Sequence, residues 1–131
     1  MQVTECKETD VKRDMELVRD ILLRIEEDQQ FDGTRWTSGD CLPIDNHSQK
    51  EIAYHLIMLI NEGFITGQIG MDMPLISQLT WNGHELLDDI RDPGVWEKTK
   101  ERAKGLASVG IAFMWEIAKS EIRQRLKLPL P

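Results

Sequence analysis

The chain has 131 residues, 40% of them hydrophobic, and its 16 Lys and Arg against 23 Asp and Glu leave a formal net charge of −7. That is one domain's worth of sequence with enough apolar content for a modest core. No apolar run approaches the roughly 20 residues that cross a bilayer, the polar, acidic start is unlike a secretory signal, and the two cysteines, Cys6 and Cys41, cannot build a disulfide framework, so a cytoplasmic protein without membrane contact is expected.

Residues 1–9 read as a flexible polar arm. A helix is predicted from Asp10, with Val11, Met15, Val18, Ile21, Leu22 and Ile25 on one face. It should stop near Glu26-Glu27-Asp28, because negative charge is unfavourable at the negative end of a helix dipole. Residues 29–47 hold Gly33, Gly39 and Pro43 and no helical apolar repeat; a short edge strand at Cys41–Ile44 is the one element they suggest.

Residues 48–80 carry the strongest pattern in the chain. Ser48 and Glu51 have capping-box spacing, Ile52, Leu56, Leu59 and Ile60 share one helical face, and Gly63 followed by Phe64 is a helix stop of the Schellman type. Two extended segments, 64–69 and 75–80, flank a Gly70–Pro74 loop and predict a β-hairpin. Thr80 then caps a helix from Trp81 to Arg91, with Trp81, Leu86, Leu87 and Ile90 as its apolar residues. Asp92-Pro93-Gly94 breaks it and starts another that Gly105 ends.

The last helix is apolar almost all round from Leu106 to Ala118. One stripe runs through Ile111, Met114, Trp115, Ala118, Ile122 and Leu126, and Phe113 and Ile117 form a second. Two apolar faces on one helix predict self-association, with Val109, Ile111, Phe113, Met114, Trp115, Ile117 and Ile122 as candidate homodimer contacts. The expected fold is mainly α with a small β-hairpin (α+β): a winged helix-turn-helix-like core over residues 10–92, lacking its usual positioning helix, then C-terminal helices over 93–131 in one compact domain.

Three segments, KRDMELVRDILLRIEED, EIAYHLIMLINEGFITG and LTWNGHELLDDIRDPGVWEKTKE, occur together and in this order over about residues 12–104. On them the chain resembles a family of small bacterial and prophage proteins, domain of unknown function number 2513. The resemblance implies a winged-helix-like fold and a bacterial or phage origin, and it implies no activity.

No phosphate loop, nucleophile elbow or metalloprotease motif is present, and the adjacent Asp88 and Asp89 point in different directions on a helix, so neither an enzyme nor a cofactor is expected. Cys41, His47 and His55 lack the paired spacing of a zinc site. The leading expectation is a DNA-binding transcriptional regulator, whose candidate contacts are Lys50, Tyr54, His55, Met58 and Asn61 on the helix and Met71 and Met73 in the hairpin loop. Charge argues the other way. Residues 1–70 hold 7 Lys and Arg against 14 Asp and Glu, whereas residues 71–131 hold 9 against 9, so the helix that would read DNA lies in the acidic half. The second expectation is therefore an acidic protein-interaction module that keeps the scaffold and meets a basic protein partner, as a phage accessory or anti-defence factor would. Lys98, Lys100, Arg102 and Lys104, with Arg123, Arg125 and Lys127, are the nearest thing to a basic surface, but interleaved glutamates make a solvated, ion-paired face the simpler reading.

Overall fold

The computed structural model describes residues 13–104 and 110–127. They form five helices and a three-stranded antiparallel sheet, an α+β chain that is mainly α. Helix α1 spans Met15–Glu27, strand β1 Thr37–Ser38, helix α2 Gln49–Asn61, strands β2 and β3 Ile65–Gln68 and Leu75–Leu79, and helices α3, α4 and α5 Trp81–Ile90, Pro93–Ala103 and Ile111–Leu126.

Each boundary has a local cause. Helix α1 starts at Met15, because the Asp14 carboxylate accepts from the backbone N–H groups of Glu16 and Leu17 and acts as the N-cap; residues 10–12 of the helical start expected at Asp10 lie outside the described residues. The Ser48/Glu51 capping box opens α2, with both reciprocal hydrogen bonds made. At the other end Gly63 takes φ +85°, Phe64 N–H donates to the Leu59 carbonyl and Gly63 N–H to that of Ile60, which is the Schellman closure. Thr80 caps α3 and also donates to the Gly63 carbonyl, tying the end of α2 to the start of α3. Asp92 caps α4, with Pro93 in its first turn.

The sheet order is β1-β3-β2. The strand expected at Cys41–Ile44 lies instead at Thr37–Ser38, where Thr37 pairs with Ile76 and Ser38 with Leu75. Residues 39–41 form one 3-10 turn, capped by the Ser38 hydroxyl, at the place a positioning helix would occupy. Thr37 is buried at a paired position, while Leu42 is buried just after the 3-10 turn without joining a strand.

The core joins α1 (Leu17, Ile21, Leu22, Ile25), α2 (Ile52, Leu56, Leu59), the hairpin (Ile65, Ile76, Leu79) and α3 (Leu86, Leu87, Ile90). Trp81, expected on the apolar face of α3, is 79% exposed; Gly83 faces inward instead, close against the Phe64 carbonyl. Polar staples fix the outer helices. Arg19 donates to the carbonyls of Ile90 and Arg91 at the end of α3, and Glu16 accepts from the Trp96 indole and pairs with Lys100 on α4.

Helix α5 narrows the set of candidate homodimer contacts. It packs on α3 and α4 through Met114, Ile117 and Ala118, so Met114 and Ile117 are inside the chain and not free to meet a second copy. Ile111, Trp115 and Ile122 are partly buried against the same core, and the Trp115 indole donates to Asp89 over 2.7 Å. Val109 lies outside the described residues, as do the residue 1–9 arm and the helical start expected at Leu106. Phe113, 51% exposed, is the member of the candidate set that stands in solvent. Helices α3 and α4 both pack on α5, while Phe113 of the second stripe and Leu126 of the first stay exposed. No described helix is long and apolar enough to cross a membrane.

Candidate interaction surface

The seven residues that sequence places on the outer side of α2 and the hairpin separate into three groups. Lys50 and Tyr54 line one side of an open groove of about 470 Å³, and Met71 and Met73 line the other. Helix α2 also supplies Ala53 and Ile57, at the i, i+4 spacing that puts them on one stripe. Met58 and Asn61 face a different cavity, of about 310 Å³, shared with Met15, Val18 and Ile111. His55 faces neither.

His55 is a correction to the candidate set, because it is fully buried. Its Nδ1 lies 2.8 Å from the Glu51 carbonyl, and its Nε2 lies 2.8 Å from the backbone nitrogen of Asp14. A carbonyl only accepts and a backbone N–H only donates, so the ring sits as the Nδ1–H tautomer, giving at one edge and taking at the other. The Tyr54 ring meets it edge-on at 5.5 Å. His55 thus ties α2 to the N-terminus of α1, and no groove contact remains available to it.

The groove owes its shape to small residues. Gly39, in the 3-10 turn, lies where a Cβ would sit 2.6 Å from a Leu56 methyl and 2.9 Å from the Met73 sulfur. Its lack of a side chain lets Met73 fold back over the turn and hold the hairpin loop against α2. Gly67, at the β2–β3 register shift, leaves equivalent room for Ile60.

The electrostatics of the groove are acidic. Lys50 is the one cation in its lining, against Asp40 on the 3-10 turn and Asp72 in the hairpin loop. Exposed apolar side chains are frequent on the same elements and the segment before β1. Of the eight large exposed hydrophobics among the described residues, Tyr54, Ile69, Met71 and Leu75 lie on α2 or the hairpin and Trp36 just before β1, which makes five; Met71 is fully exposed. Asp40, Ala53, Ile57 and Asp72 were missed as site residues, although the Ala53–Ile57 spacing beside Lys50 and Tyr54 signals an outward apolar stripe.

At least four of the seven basic residues of the C-terminal set are engaged with acids. Lys98 pairs with Glu101, Lys100 with Glu16 and Glu97, Arg102 with Glu121, and Arg125 with Asp92 and Glu121. Partial burial pushes the Glu16 carboxyl up, but hydrogen bonds from Lys100 and Trp96 outweigh it and hold the group below the usual glutamate range. The same hydrogen bond from Lys100 to Glu16 raises the lysine, against partial burial. Among the described residues no group of three or more His, Cys, Asp or Glu side chains could hold a metal ion.

The family model described as "Hypothetical protein (DUF2513)" matches residues 12–110. The chain belongs to this family. The matched region takes in α1, the groove and the helices behind it, α3 and α4, and stops at the start of α5. A relative from Haemophilus influenzae (strain ATCC 51907 / DSM 11121 / KW20 / Rd), itself described as an uncharacterized protein, is 32% identical over 122 residues, covering 88% of this chain and 99% of its own length. No solved structure matches the chain.

Proposed function

We propose that this family member acts by binding another protein through the face formed by α2 and the β2–β3 hairpin. The observation that carries the reading is the makeup of the groove: one lysine and two aspartates beside Ala53, Ile57, Met73 and the exposed Tyr54 and Met71. Exposed apolar clusters of that kind mark protein partners, and aromatic residues and Met are enriched at protein interfaces. Duplex DNA makes the opposite demand, since phosphate neutralisation by Lys and Arg supplies most of non-specific affinity.

One observation favours a second reading, a DNA-binding regulator. The order helix, strand, turn, helix, hairpin with sheet order β1-β3-β2 matches a winged helix-turn-helix whose positioning helix has shrunk to the 3-10 turn. In such a domain α2 would be the reading helix and the hairpin its wing. Fold-level likeness does not carry function, and the lining of the groove weighs more here.

The test is a photo-crosslinking amino acid placed at Met71 of the full chain in the native host. A discrete protein adduct that Ile57→Glu abolishes is expected. Adducts confined to nucleic acid, or adducts indifferent to Ile57→Glu, would refute the reading.

A further inference from the structure

We infer that the groove between α2 and the hairpin takes a basic amphipathic segment of the partner, with its apolar side chains on Ala53, Tyr54, Ile57 and Met71 and its lysines or arginines toward Asp40 and Asp72. The inference rests on the protein-binding reading above and narrows it to one class of partner.

Charge is the first ground. Residues 28–78, from the end of α1 through the hairpin, contain Asp28, Asp32, Asp40, Asp45, Glu51, Glu62 and Asp72 against Arg35 and Lys50, so 2 − 7 gives −5. The remaining residues account for the other −2 of the chain's −7, so most of the excess acid lies in the sequence segment that supplies the groove, whose own lining holds Asp40 and Asp72 against Lys50. A field of that sign attracts cationic partners and repels phosphates and acidic peptides.

Desolvation is the second. Asp72 has no hydrogen bond or ion pair with a described residue, and Asp40 has only the Ser38 hydroxyl, at 3.2 Å, for its carboxylate. A purely apolar partner that covered the groove would strip water from both carboxylates and return nothing, which costs several kcal/mol for each buried, unpaired charge. A partner whose cations reach those carboxylates avoids that cost. A lining that mixes apolar side chains with two carboxylates therefore selects a segment that is apolar along one side and carries cations beside it.

Geometry is the third. The groove is walled by a capped helix on one side and by a loop that Met73 pins to Gly39 on the other. Its floor is thus largely formed before a partner arrives, which lowers the ordering cost of binding.

A random peptide library selected on the immobilised full chain tests the inference without presupposing a partner. Enriched peptides should combine Lys or Arg with aromatic or aliphatic residues. They should bind the Asp40→Asn/Asp72→Asn variant about tenfold more weakly than the native chain, a change of about 1.4 kcal/mol. They should bind the Glu85→Gln/Glu116→Gln variant, which loses the same charge on α3 and α5, as tightly as the native chain. Circular dichroism establishes that both variants fold. Enrichment of neutral or acidic peptides, no enrichment, or equal loss in both variants overturns the basic-partner inference. Neutral peptides whose binding still depends on Tyr54 would overturn it while leaving the protein-binding reading intact; that reading falls to the crosslinking result instead.

Discussion

Replacing His55 by leucine removes a buried side chain that satisfies polar groups on two helices. The Asp14 backbone N–H loses its acceptor at 2.8 Å and is left at a partly buried helix start. The Glu51 carbonyl keeps its ladder bond within α2, so one orphan results and not two. An unsatisfied buried donor costs about 1–3 kcal/mol, and the lost edge-on contact with Tyr54 adds about 0.5–1.5 kcal/mol. His55→Leu should therefore destabilise the chain by about 2–4 kcal/mol, a large part of the roughly 5–15 kcal/mol available to a small domain. Glutamine can place its Oε1 near the position of the imidazole Nε2 and restore the acceptor, so His55→Gln should recover about half of the loss. Urea unfolding followed by circular dichroism, with the slopes compared, measures both. If His55→Leu lies within about 0.5 kcal/mol of the native chain, or His55→Gln is no better than His55→Leu, the bridging role is wrong.

Gly83→Ala would place a Cβ on top of the Phe64 carbonyl oxygen, where only backbone movement gives room; a loss of about 1–3 kcal/mol in urea unfolding is expected, and a neutral effect would refute the close approach. Glu16 has a lowered pKa in the folded chain, so its contribution is present above the ordinary carboxylate value of about 4.3 and is lost as pH falls through the folded value. Glu16→Gln should flatten the stability profile in that acid range, and an unchanged profile would refute the Glu16–Lys100–Trp96 staple. With Met114 and Ile117 packed inside the chain, light scattering should return the monomer mass; a dimer that Phe113→Asp dissociates would reinstate α5 as an interface.

Sequence is most informative where local chemistry decides structure. The Ser48/Glu51 box, the Gly63 stop and the Asp92-Pro93 start each act over three or four residues, and each fixes a helix boundary that the fold retains. Burial decided by distant partners is less legible. His55 lies beside an apolar face in sequence, which leaves a groove contact and a bond within the domain both open, because its acceptor role is set by Asp14, 41 residues away. The second stripe of α5 reads as an interface because nothing in its own period reveals that Ile117 is buried within the chain while Phe113 stays exposed. The groove stands between these cases. Lys50, Tyr54, Met71 and Met73 belong to it as a sequence stripe and a loop suggest, whereas Asp40 and Asp72 enter only because Gly39 lets the hairpin loop close over the 3-10 turn.

That acidic closure makes duplex DNA the most direct probe of the account. Fluorescence anisotropy of a labelled random-sequence duplex, titrated with the full chain at low salt, gives electrostatic binding its best chance, because affinity rises steeply as salt falls. The account predicts no saturable binding. Saturable binding that weakens with added salt and with Lys50→Ala would contradict it and restore α2 as a DNA-reading helix.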